Sequence, residues 1–238
     1  MERLRRRQIR QAHASFLATL DDDLQVVLHV ANHEARQRSQ SLQPLHLAYG
    51  LLQDESFQTV IAKVGGEPTR VEDTLVTALD SVQDTTHREA LEALGFISAV
   101  AQHLDRKATV GDLFARLARH GTVAKLFEAS GLHVHELLFA VVHGTKPPAL
   151  MLPAPRPGAV HVVLRNDDVT TVEFVMSILR EVFELDPARA ETVTMETHHQ
   201  GRAIVGRFPP EVAATHIESV RTRARDAGFP LWVGVEPC

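Results

Sequence analysis

The chain of 238 residues carries a single cysteine, Cys238. No disulfide can form within it, and such cysteine usage fits a reducing, cytoplasmic setting. It also lacks an excess of positive charge. With histidine neutral the net charge is -5, so no general basic field favours nucleic acid. Long apolar runs are missing too: the longest, such as Leu137 to Val142, fall far below the ~20 residues that span a bilayer. The start, Met1 to Arg10, is basic through Arg3, Arg5, Arg6, Arg7 and Arg10 but has no apolar core of a signal peptide. A solvated helix start is the simpler account, and neither membrane nor nucleic acid is expected as a partner.

The chemistry of catalysis is equally thin. No Gly-x-x-x-x-Gly-Lys-Ser/Thr loop occurs, so no P-loop nucleotide site is expected. No Gly-x-Ser-x-Gly elbow and no catalytic cysteine setting occur either. His133, His135 and Glu136 suggest metal ligands, yet helical residues two apart face different ways and cannot share an ion. The expectation is a non-enzyme with no cofactor and no metal.

What is present is ordinary globular material, 44% hydrophobic and 23% charged. Its clearest break is KPPALMLPAPRPG, Lys146 to Gly158, where Pro147, Pro148, Pro153, Pro155 and Pro157 forbid a helix or a central strand. That gives a basic segment 1–22, a helical domain 23–145, a linker 146–158 and a second domain 159–238.

The helical domain repeats itself. FQTVIAKVGGEPTRVEDTLVTAL (Phe57 to Leu79) parallels GTVAKLFEASGLHVHELLFAVV (Gly121 to Val142), each a short helix, a glycine stop and a second apolar helix. Leu45 to Asp54 and Val110 to His120 lead the two copies in matching places. The second domain reads differently: a short β-rich run ending in a turn over Val160 to Asp168, helices over Thr171 to Phe183 and Ala188 to His198, and a strand over Gly201 to Phe208. A helix from Pro209 to Gly228 and a strand from Leu231 to Val235 follow. The order β-α-α-β-α-β predicts a small antiparallel sheet with helices on one face, an α+β domain after an all-α one.

On these words two resemblances rest. The duplicated pattern led by VANHEARQRSQSLQPLHLAYGLLQDE resembles the N-terminal domain of the Clp ATPases, which docks adaptors and substrates. LRNDDVTTVEFV, THHQGRAIVG, FPPEVA and FPLWVGVE, in order over Gly158 to Glu236, resemble the ClpS adaptors, which grip the free amino end of destabilised proteins. The resemblance implies an adaptor that binds N-degrons and delivers them to a Clp ATPase, ClpA-like, with its protease. A regulator that competes for docking and delivers nothing is the alternative. A peptidase is disfavoured, since no nucleophile or metal constellation exists.

By resemblance, Asn166, Asp168 and His198 hold the α-amino group, with Asp167 nearby. A protonated amine needs acceptors and negative charge, and an amide oxygen, a carboxylate and a neutral imidazole nitrogen supply them. The bland alternative stays open: Asn-Asp-Asp is plain turn chemistry, Thr170 and Glu173 read as a capping box, and His198 suits a helix end. The side-chain pocket transfers as Thr170, Val172, Val175, Thr194, Thr197 and Leu231. Here the chain departs from the family. Val172 and Thr194 stand where methionines are usual and Thr197 where valine is, which implies a wider, more polar pocket. Glu211 and His216 fall at the family's contact with the Clp N-domain, the histidine replacing a lysine. Since the chain carries likenesses of both partners, docking of its own two domains is a further implication.

Overall fold

The computed structural model describes residues 11–82, 88–147 and 158–238. Most of the proposed linker, 148–157, and the basic start, 1–10, lie outside the described residues. The chain divides into two compact units, residues 1–137 and 138–238. The fold class is as expected, helices first and an α+β domain second.

In the first part, cap signals and apolar spacing recur at a fixed interval. After a helical stretch over 11–17 come α1 (Asp22–Gln37), α2 (Pro44–Leu52), α3 (Glu55–Lys63) and α4 (Pro68–Ser81), then α5 (Arg88–His103), α6 (Val110–Leu117), α7 (Gly121–Ala129) and α8 (Val134–His143). The repeat is thus longer than the sequence words indicate, because α1 and α5 belong to it. Leu24, Val27, Leu28, Ala31 and Ala35 are buried on α1. Ala90, Ala93, Leu94, Ile97 and Ala101 are buried at the equivalent places of α5. Ser39 and Asp105 take equivalent left-handed conformations after those helices, with φ of 55 and 51. A backbone bridge between Leu20 and Ala108 ties the approach to α1 to the approach to α6.

Phe57, Phe114 and Phe127 sit at the centre of this unit, each about 2 % exposed or less. Their rings pack with centroids 5.0, 5.6 and 6.4 Å apart, in the tilted and edge-on geometries that aromatic quadrupoles favour. Gly50 lets α2 lie close on α1, since a Cβ there would come within 2.4 Å of the Val27 carbonyl oxygen.

The joint before the second helix of each repeat is built twice with different chemistry. In the first, the Gln43 N–H donates to His46 Nδ1 at 3.1 Å, which leaves the proton on Nε2, 3.0 Å from Gln40 Oε1. The Gln40 amide donates in turn to the Leu79 and Val82 carbonyls, at 3.1 and 3.2 Å. In the second, the Thr109 N–H donates to Asp112 Oδ2 at 2.8 Å. Arg106 grips the same carboxylate with two bonds of 2.7 and 2.9 Å.

The second part contains β1 (Val160–Arg165), α9 (Val172–Glu181), α10 (Pro187–Gln200), β2 (Arg202–Phe208), α11 (Pro210–Ala227) and β3 (Trp232–Pro237). The strands lie in the order β2-β1-β3, antiparallel on both sides of β1, with an irregularity opposite Val162 and Val163. Val160, Val162 and Leu164, alternate residues of β1, join Val175, Leu179, Val193, Ile217, Val220 and Val233 in one core. The sheet therefore buries one face against the three helices, as its period of two dictates.

His46 is fully buried, and burial, partly opposed by the charge of Glu34, holds its imidazole below the ordinary value. A lowered folded value means the fold favours the neutral ring. The stability this contributes is present above about pH 6.5, the unfolded value, and is lost as pH falls below it. For Asp112, burial works to raise the carboxyl, but the hydrogen bonds from Arg106 and Thr109 prevail and leave it lowered. Its contribution persists to the ordinary carboxylate range, about pH 4, and is lost below that. Thermal melts should thus lose stability in two acid steps, the first setting in as pH falls below about 6.5. His46→Gln should remove the first step and spare the second; an unchanged first step would assign it to another group.

Candidate functional site

The site begins with one residue that turns the chain out of β1. Asp167 Oδ1 accepts from the Val169 N–H at 2.9 Å and from the Thr170 N–H at 2.6 Å. Oδ2 accepts from the Thr170 hydroxyl at 2.8 Å. This is an aspartate turn, in which the side chain stands in for backbone partners. It also corrects the expected capping box. Thr170 is spent on Asp167, so the N-cap of α9 falls to Thr171, whose hydroxyl accepts from the Phe174 N–H at 3.3 Å.

The turn is fastened to the end of another helix. The Asn166 N–H donates to the Gly201 carbonyl at 2.9 Å. Gly201 ends α10 in the left-handed region, φ 77, where a side chain would be strained. His198 lies in the last turn of that helix, exposed, with its ring 5.3 Å from that of His199. Asn166 is half-buried and Asp168 exposed. One backbone hydrogen bond therefore brings the turn that carries Asn166 and Asp168 to the helix end that carries His198. The Asp167 carboxylate, expected near the amino group, holds the turn.

The residues expected to wall the pocket differ in burial. Val175, Thr194, Thr197 and Leu231 are buried, at 8, 4, 6 and 4 % exposure, whereas Val172 is 52 % exposed. Val172 is the first residue of α9, and its apolar spacing does not bury it there. The hydroxyls of Thr194 and Thr197 donate to their own helix, to the Ala190 and Val193 carbonyls at 2.8 and 2.7 Å. Both hydroxyls thus have acceptors within α10. Phe174 and Phe229 stack with centroids 4.7 Å apart and join the start of α9 to the turn before Leu231.

A groove of about 600 Å³ runs along α9, lined by Val172, Met176, Leu185 and Pro187, with Glu173 and Arg180 among its polar margin. Of the expected walls only Val172 lines it. Met176 and Leu185 were missing from the sequence-based site; the available cue was the spacing of Met176, one helical turn beyond Val172. On α11, Glu211 is exposed. His216 is half-buried, its ring 5.1 Å from that of Phe183 and 5.2 Å from that of Phe208. Among the described residues no group of three or more His, Cys, Asp or Glu side chains is arranged to hold a metal ion. Nor is any helix among them long and apolar enough to cross a membrane.

A three-stranded sheet with three helices on one face, and a polar turn clamped to a helix end, define a small α+β binding module. This chain belongs to the ClpS family of Clp protease adaptors. The family described as ATP-dependent Clp protease adaptor protein ClpS matches residues 155–234. The ATP-dependent Clp protease adapter protein ClpS of Leptothrix cholodnii is 41% identical over 80 residues, 34% of this chain and 70% of that protein. That of Clostridium acetobutylicum is 43% identical over 76 residues, 32% of this chain and 75% of its own length. Among solved structures, Agrobacterium tumefaciens ClpS2 bound to L-phenylalaninamide is 35% identical, the match covering 35% of this chain and 100% of that one with a TM-score of 0.34. The Hsp104 N-terminal domain from Candida albicans is 14% identical, over 51% of this chain and 88% of that one, with a TM-score of 0.47.

Asp167→Ala would strip the acceptor from two backbone N–H groups and one hydroxyl. A loss of about 1–3 kcal/mol of stability is expected for partly buried donors left unpaired, measured by urea unfolding. Asp167→Asn, which keeps an acceptor oxygen, should fall between. A midpoint for Asp167→Ala equal to the wild type would show that the turn holds without the carboxylate.

Proposed function

We propose that the second unit binds the free amino end of a protein chain with a bulky apolar first residue, and presents that chain to a ClpA-like ATPase for proteolysis. The observation that carries this is the Asn166 N–H to Gly201 bond of 2.9 Å, which joins the two segments bearing Asn166, Asp168 and His198. An ammonium group at this corner meets an amide oxygen, a carboxylate and an imidazole nitrogen, and charge-assisted hydrogen bonds of this kind are the strong ones. The buried floor of Val175, Thr194, Thr197 and Leu231, with Val172 at its rim, receives the apolar side chain. Asp167 acts from behind by holding the turn.

Glu211, exposed early in α11, and His216, seated between Phe183 and Phe208, form the surface for the Clp N-domain. The helical repeat of the first unit serves as a Clp N-terminal-type docking domain in this scheme, on the strength of its sequence words. The curated ClpS relatives support adaptor work over catalysis.

The test is fluorescence anisotropy with peptides that differ at the first residue or its amino group. A free-amino Phe peptide should bind and its acetylated twin should not, since acetylation removes the charge and adds bulk. Asp168→Ala should weaken the free peptide by about tenfold or more, as for a lost charged hydrogen bond of about 1.5–3 kcal/mol. Equal affinity for free and acetylated peptides would end the proposal.

A further inference from the structure

We infer that Met176 is the adjustable wall of the first-residue pocket and tilts its preference toward flat aromatic side chains. This rests on the amino-end binding proposed above and concerns which first residues are favoured. Three observations meet at Met176. It lines the groove along α9 together with Val172, Leu185 and Pro187. Its thioether sulfur accepts from the Thr194 hydroxyl at 3.3 Å. It packs, partly buried, against the core of the unit.

The geometry links rim to floor. Val172 is 52 % exposed and Thr194 only 4 %, and Met176 reaches from the helix of one to the helix of the other. The Thr194 hydroxyl has one proton, and it lies 2.8 Å from the Ala190 carbonyl as well as 3.3 Å from the sulfur. A thioether is a weak acceptor, so this tether is light. Met176 is held in place on average yet is free to shift when a side chain enters.

An unbranched side chain with three rotatable bonds and a polarizable sulfur fills irregular space well. Sulfur also makes favourable contacts with aromatic ring edges, which an aliphatic guest cannot offer. Val172 is short and β-branched, so it is stiff at χ1. Thr194 and Thr197 have their hydroxyls tied to their own helix. Among these residues, Met176 is the one able both to move and to tell a ring from an aliphatic chain.

The experiment uses the full chain and free-amino peptides identical beyond a first residue of Phe, Trp, Leu or Ile. Met176→Leu keeps an apolar side chain of similar volume and removes the sulfur. It should lower the preference for Phe and Trp over Leu by about 2- to 10-fold, the range of a sulfur–aromatic contact. Thr194→Val keeps the shape, removes the tether, and should shift the same ratio less and in the same direction. In protein carrying 13C-methyl methionine, the Phe peptide should move the Met176 ε-methyl resonance, identified by its loss in Met176→Leu. If the wild type binds the Phe peptide but the ratio is unchanged in Met176→Leu, or the Met176 methyl does not move, the inference is overturned while amino-end binding stands. If no free-amino peptide binds the wild type, amino-end binding fails and this inference with it.

Discussion

One backbone hydrogen bond organises the second unit: the Asn166 N–H to the Gly201 carbonyl, at 2.9 Å. It lies where β1 ends and β2 is about to begin, and it continues the β1–β2 pairing whose last partners are Arg165 and Arg202. Both residues around it are prepared locally. Gly201 adopts a left-handed conformation that closes α10. Asp167 turns the chain sharply enough for α9 to start at Val172. Were the turn held only by solvent, Asn166 and His198 would sit on independently fluctuating segments, and an arrangement of side chains is only as good as the backbone beneath it.

The first unit shows how far chemistry can diverge while geometry is kept. At equivalent joints, His46 with Gln40 and Asp112 with Arg106 do the same work. Each takes a backbone N–H at the start of a helix and ties back to the loop before it. The first joint is neutral and reaches onward to the end of α4; the second is an ion pair that remains half-open to water. A buried neutral imidazole avoids the desolvation of a charge. The carboxylate is tolerated because Arg106 meets it with two hydrogen bonds, the arrangement that best offsets that desolvation.

These particulars explain what was legible in the sequence. The elements of the second unit were readable because prolines and glycines punctuate them: Pro187 opens α10, Gly201 closes it, Pro210 opens α11 and Gly228 closes it. Thr170 reads as the cap in the sequence because Glu173 follows three residues on. The competition of Asp167 for the Thr170 hydroxyl moves the cap to Thr171. The repeat was half legible. The glycine stops at Gly65 and Gly131 match by eye and by φ. The α1 and α5 pair shares only a burial pattern, and Gln40 with His46 bears no residue likeness to Arg106 with Asp112. Val172 follows the apolar spacing of its helix, yet a residue at the first position has no preceding turn to pack against, so the spacing overstates its burial.

The two halves of the proposed site face different demands, and the structure answers them with different materials. Every amino end presents the same small cation, so the groups that meet it gain from being fixed in advance. The corner supplies this through backbone hydrogen bonds and an aspartate, Asp167, whose carboxylate holds the turn. First residues differ in shape, so the groups that meet them gain from yielding. The floor is therefore set by side chains locked in the helix, Val175 and the back-bonded Thr194 and Thr197, while the flexible side chain beside them, Met176, is held by packing against the core and by a light hydroxyl-to-sulfur contact. Stiffness where the ligand is constant and compliance where it varies follow from which of these groups carry strong hydrogen bonds.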